Sequence, residues 1–121
     1  MQTISTILVA LVALEHVYIL YLEMFTWTSP RTMKTFGTTP DFAQASKALA
    51  ANQGLYNGFL AAGLAWSIVQ PDAVFAHQLR LFFLLCVVVA AVYGGLTARR
   101  SILYTQGAPA LIALIAVLIA G

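Results

Sequence analysis

Residues 3–27 read TISTILVALVALEHVYILYLEMFTW, and this stretch decides the fold class. It is long enough to cross a bilayer as a helix, which takes about 20 mostly apolar residues. Yet Glu15, His16 and Glu23 lie inside it. An ionisable group near a bilayer centre costs roughly 2.5–3.5 kcal/mol on insertion scales, so it persists only where it faces protein and finds partners. At about 100° per residue, Glu15, Ile19, Glu23 and Thr26 fall on one side of a helix, with His16 and Glu23 nearly in line. Ser5 and Trp27 share that side, while Leu8, Leu11, Leu14 and Leu22 point elsewhere. A polar stripe on an apolar helix predicts an inward-facing seam in a helical bundle.

The remainder of the 121-residue chain agrees. Hydrophobic residues make up 61% and charged residues 8%, against about 25% charged in average soluble domains. The surface charge that solvates a small domain is missing, which excludes a soluble globular fold. The apolar content equally excludes disorder. A net charge of +2, scattered along the chain, makes no nucleic-acid surface. Cys86 is the lone cysteine, so neither a disulfide nor a cysteine metal cluster forms within one chain. It reads as a small buried or lipid-facing hydrophobe.

Four segments fit a spanning helix, at about residues 3–27, 42–69, 74–96 and 102–120. The expected fold is all-α: one four-transmembrane-helix bundle over residues 1–121. Breakers mark the connections, at Thr28-Ser29-Pro30, Gly37-Thr38-Thr39-Pro40-Asp41 and Gln70-Pro71-Asp72. Pro40 and Asp41 suit a helix start, and Pro71 a stop. No Lys or Arg precedes the first apolar run, so it is expected to be a retained helix rather than a cleaved leader. Arg31, Lys34 and Lys47 flank the first connection, and Arg99 and Arg100 the third; the opposite side offers Arg80. This bias predicts both of those connections in the cytoplasm of a bacterium, and both termini outside its inner membrane. Arg80 is expected to snorkel to the interface, beside an interfacial His77. Trp27, Trp66 and Tyr104 suit an aromatic belt.

The second segment carries a further polar cluster. Asn52, Gln53, Tyr56, Gly63 and Ser67 share one helix side, with Asn57 at its margin. Ala51, Gly54, Gly58, Ala61 and Ala65 form the opposite, small side. Gly54 and Gly58 make a G-x-x-x-G pair, which lets another helix approach closely. Counting depth at about 1.5 Å per residue places Glu23 beside Asn52 or Gln53, and Glu15 or His16 beside Tyr56 or Asn57. Side-chain amides can donate to carboxylates and accept from a histidine.

These groups suggest a recess between the first two helices that binds a small or lipophilic molecule. Glu15, His16 and Glu23 are its candidate catalytic acid–base groups. Asn52, Gln53, Tyr56, Asn57 and Trp27 are its candidate lining, and Gly54 and Gly58 its packing residues. Proton or small-solute transport by a homo-oligomer is an alternative, since intramembrane Glu and His serve as relays. A metal at Glu15, His16 and Glu23 is a weaker one, because adjacent side chains diverge by about 100°. The same polar groups also suit plain hydrogen-bonded glue in a structural or partner-binding subunit. No residue pattern names a cofactor.

Two stretches carry a family resemblance. They are Glu15-His16-Val17-Tyr18-Ile19-Leu20-Tyr21-Leu22-Glu23-Met24-Phe25, and Asn52-Gln53-Gly54-Leu55-Tyr56-Asn57-Gly58-Phe59-Leu60-Ala61-Ala62-Gly63. Together they resemble the small bacterial membrane proteins catalogued as domain of unknown function 1304, across nearly the whole chain. The resemblance implies a four-helix inner-membrane protein and no particular activity. A similarity to the membrane-associated eicosanoid and glutathione metabolism proteins is confined to Ala48, Asn52, Tyr56 and Asn57. The arginine and glutamate around their asparagine are absent here, so no glutathione site is carried over.

Overall fold

Six helices and one π-helical turn make up the computed structural model, which describes all 121 residues. In chain order they are α1 (Gln2–Phe25), α2 (Pro30–Phe36), α3 (Pro40–Ala45), α4 (Lys47–Val69) and α5 (Ala73–Thr97), then the π-helical turn Leu103–Gly107 and α6 (Ala108–Ala120). There are no strands.

Three helical runs, not four, are long and apolar enough to cross a membrane: α1, α5 and the continuous run Leu103–Ala120. Helix α4 has the length, at 23 residues, but Asn52, Gln53, Asn57 and Ser67 dilute its apolar content. The single helix expected over 42–69 is also broken. Its first part is α3, which ends at Ala45, and α4 restarts at Lys47. Ser46 at the break turns its hydroxyl back onto the Phe42 carbonyl at 2.7 Å, a local bond that competes with helix continuation.

The first connection is helical where breakers suggested a loop. Ser29 caps α2, its side chain accepting from the Thr32 backbone N–H, and Pro30 fills the first helical position. A proline is tolerated there because that N–H has no partner within the helix. Gly37 then ends α2 in the left-handed conformation, at φ 71°, which a side chain would resist. Thr39, Pro40 and Asp41 start α3 by the same chemistry. Asp72 caps α5 by accepting from the Val74 and Phe75 N–H groups. Before α6, the Ala108 N–H reaches back five residues to the Leu103 carbonyl. Pro109 follows and has no N–H to offer Thr105, so the turn there widens to π geometry.

The chain packs as two compact units, Met1–Leu14 with Leu60–Gly121, and Glu15–Phe59. In the first, four helical segments share one core: Val9 and Val12 of α1, Leu64 of α4, Leu84 and Val87 of α5, and Ala110, Ala113 and Val117 of α6. Small residues on α6 let its backbone lie close, the usual economy of helix packing in lipid. Outward from this core, Ile4, Ile7, Phe82, Leu85, Val89, Ile115 and Ile119 are exposed. An apolar exterior of this extent on long helices suits a hydrocarbon surrounding.

Within Glu15–Phe59, α1 and α4 meet through glycine. A Cβ placed on Gly54 would lie 2.7 Å from Met24 Cγ and 3.2 Å from the Leu20 carbonyl oxygen. One on Gly58 would lie 2.6 Å from Leu20 Cδ1. This close approach sets the antiparallel register: Gly54 is level with Met24, and Gly58 with Leu20.

A polar seam on helix α1

The inward stripe of α1 is buried at Ser5, Val9, Val12, His16, Ile19 and Glu23. These positions step by three or four residues, so they lie on one face. Ile4, Leu11, Leu14, Tyr18 and Tyr21 cover the exposed face. His16 is 1% exposed and Glu23 is 8% exposed.

Glu23 meets the second polar helix at one point. Asn57 Nδ2 donates to Glu23 Oε1 at 2.6 Å, and Asn57 is itself 8% exposed. The same nitrogen also reaches the Gln53 carbonyl at 3.2 Å. Depth counting placed Glu23 beside Asn52 or Gln53 instead. It failed by about one turn because it assumed that the two helices end level. Gly54 packs beside Met24, so roughly the first two turns of α4 run past the end of α1.

The other amides do not join the seam. Asn52, Gln53 and Tyr56 lie on an exposed side of α4, Tyr56 at 54%. The small face of α4 turns toward α1, and Asn57, next to Gly58, turns with it. Glu15 is half-buried, and its Oε1 is fully enclosed with no hydrogen-bond partner. Glu15, His16 and Glu23 do not converge on one point. Neighbouring positions on a helix point apart, and Glu23 lies about 12 Å along the axis from Glu15.

Trp27 sits just beyond α1, half-buried. Its Nε1 donates to Ser46 Oγ at 3.0 Å, and its ring meets Phe36 edge-on at 5.0 Å. It fastens the start of α4 and the end of α2 rather than lining the seam. A relay of hydroxyls went unread in the sequence. Ser29 Oγ donates to Thr32 Oγ1 at 3.0 Å, and Thr32 and Thr26 share a 2.8 Å bond. Thr26 passes its own proton to the Leu22 carbonyl. The signal was present as Ser29-Pro30, a cap followed by a first-turn proline. Arg80, expected to reach out to the interface, is buried against protein.

The fold and seam define an all-helical protein with three helices apolar enough for a membrane, and with His16 and Glu23 buried along the first. Residues 10–118 match the family described as Protein of unknown function (DUF1304), and the chain belongs to that family. It is 38% identical over 119 residues to the Uncharacterized protein YpaA of Lactococcus lactis subsp. lactis, covering 95% of this chain and 97% of that one. No solved structure matches it.

Proposed function

We propose that this chain is an integral membrane protein that binds a small lipophilic molecule at the seam of α1. The carrying observation is Glu15, whose Oε1 is enclosed yet has no donor. Leaving a buried acceptor unmet costs about 1–3 kcal/mol, and native proteins seldom keep one without a use. A ligand with an amine, amide or hydroxyl head would supply the missing donor, while its apolar body lies against aliphatic walls. Glu23, held by Asn57, and His16 are the groups placed to exchange a proton with such a head.

The setting is a four-crossing inner-membrane bundle in which α4 crosses as well. Its buried Asn57 is matched by Glu23, and Asn52 and Gln53, which are exposed, lie within two turns of its Lys47 end, near the interface. Exposed Arg31, Lys34, Lys47, Arg99 and Arg100 then face the cytoplasm and both termini face outward. Burial of Arg80 strengthens this asymmetry, because the opposite turn at Gln70–Asp72 presents no exposed Lys or Arg.

Native mass spectrometry of protein extracted in a mild neutral detergent tests the reading. An adduct of discrete mass is expected on the wild type, and it should be lost in Glu15→Gln and Glu23→Gln. Identical spectra for all three would refute it.

A further inference from the structure

The unit Met1–Leu14 with Leu60–Gly121 forms a half-open cavity of about 310 Å³. At about 30 Å³ per water, that is room for roughly ten waters or a small polar headgroup. Gln2, Ser67, Gln70, His77 and Arg80 supply its polar lining, and no acidic side chain lines it. Arg80 is 9% exposed, and its Nε is enclosed without a hydrogen-bond partner.

A guanidinium stays charged at any physiological pH. A buried charge is costly unless its hydrogen-bonding groups are met, and the Arg80 Nε is not. Asp72 is the nearest acid in sequence; its Oδ1 caps α5, accepting from Val74 at 3.0 Å and Phe75 at 3.3 Å, and it does not line the cavity. None of the other acids, Glu15, Glu23 and Asp41, lines the cavity.

The rest of the lining also favours donation. Gln70 Oε1 accepts from the Asp72 N–H at 3.1 Å, which leaves the Gln70 amide nitrogen as its free end. Ser67 is the exception: its one hydroxyl proton goes to the Leu64 carbonyl, so it offers no donor to the cavity. His77 stands one turn before Arg80 on the same face of α5. Arg80 lies about 10 Å along α5 from Ala73, the depth at which a spanning helix leaves the headgroup layer.

We propose that this cavity binds a phosphate group at the level of the lipid headgroups. The fork of Arg80 grips two phosphate oxygens in parallel, the geometry that guanidinium and phosphate share. His77 and the Gln70 amide donate to the remaining oxygens. The phosphate neutralises Arg80, and the apolar walls at Ile68, Ala76 and Val117 hold whatever the phosphate carries. The site shares no residue with the α1 seam, so it stands whether or not that seam binds a ligand.

The test is thermal unfolding of the full-length protein in a neutral detergent. Inorganic phosphate is compared with chloride at matched ionic strength, and phosphatidylglycerol with diacylglycerol, which lacks the phosphate, in mixed micelles. Phosphate or phosphatidylglycerol should raise the midpoint in a saturable way. Stabilisation by phosphatidylglycerol alone identifies a lipid headgroup, and stabilisation by both a soluble phosphate. Arg80→Gln should abolish the effect. Arg80→Lys keeps the charge and loses the fork, so it should raise the half-saturating concentration about tenfold or more, and it decides the matter if Arg80→Gln does not fold. No dose-dependent rise in the wild type, or the same rise in a folded Arg80 variant, would overturn the site.

Discussion

Asn57 Nδ2 donates to Glu23 Oε1 at 2.6 Å, joining two buried side chains that stand 34 positions apart. The bond ties the end of α1 to the middle of α4. It also fixes the Asn57 amide, whose nitrogen reaches the Gln53 carbonyl as well. A carboxylate so placed is held still and open to a further donor.

This pair sets the first prediction. Asn57→Ala should cost about 1–3 kcal/mol, because it strands a buried acceptor. The coupling in a double-mutant cycle with Glu23→Gln should be smaller, about 0.6 and at most about 1.7 kcal/mol, as for side-chain hydrogen bonds within membranes. Unfolding in mixed micelles measures both. Equal and additive losses from the two changes would show that the bond contributes nothing of its own.

The two glycines facing α1 should not be equally sensitive. A methyl group at Gly58 meets only Leu20 Cδ1, the end of a flexible side chain. One at Gly54 meets Met24 Cγ and also lies 3.2 Å from the Leu20 carbonyl oxygen, which is backbone and yields less. Gly54→Ala is therefore expected to destabilise by about 1–3 kcal/mol, and Gly58→Ala by less. The same melting assay ranks them, and the reverse order would contradict the register.

Much of the layout was legible because hydrophobic length speaks plainly. The expected spans 74–96 and 102–120 lie within a residue of α5 and of the run Leu103–Ala120. The stripe logic placed His16 and Glu23 on a buried face, since charge in an apolar helix has few other options. Three features escaped for physical reasons. Proline and serine at 29–30 were taken as breakers, although a cap followed by a first-turn proline also begins a helix. The pairing of Glu23 depended on where α4 starts relative to α1, which residue spacing along one helix does not encode. Arg80 was read by its distance from a helix end, a rule that holds only where no neighbouring helix encloses the side chain.

Trp27 offers a third prediction, away from the seam. Its indole N–H bonds to Ser46 at the break between α3 and α4. Trp27→Phe keeps the ring against Phe36 and removes the donor, so a loss of about 0.5–1.5 kcal/mol is expected. Amide exchange should quicken across Ala45–Ala50 more than in α5. Uniform exchange in both would show that Trp27 does not fasten this break.

Whether α4 crosses the membrane decides the topology, and cysteine labelling can read it. In a Cys86→Ala background, Thr35→Cys, Pro71→Cys and Ser101→Cys place single thiols at exposed positions in the three connections. If α4 crosses, an impermeant reagent added to intact cells should label position 71 and spare 35 and 101. If α4 lies on one side, 35 and 71 should react alike. The expected sign follows from charge: with α4 crossing, Arg31, Lys34 and Lys47 would hold one end of it inside, while the turn at Gln70 has no exposed basic group to oppose export. Labelling at 35 with protection at 71 would invert the orientation, and the cavity at Arg80 would then open to the cytoplasmic leaflet.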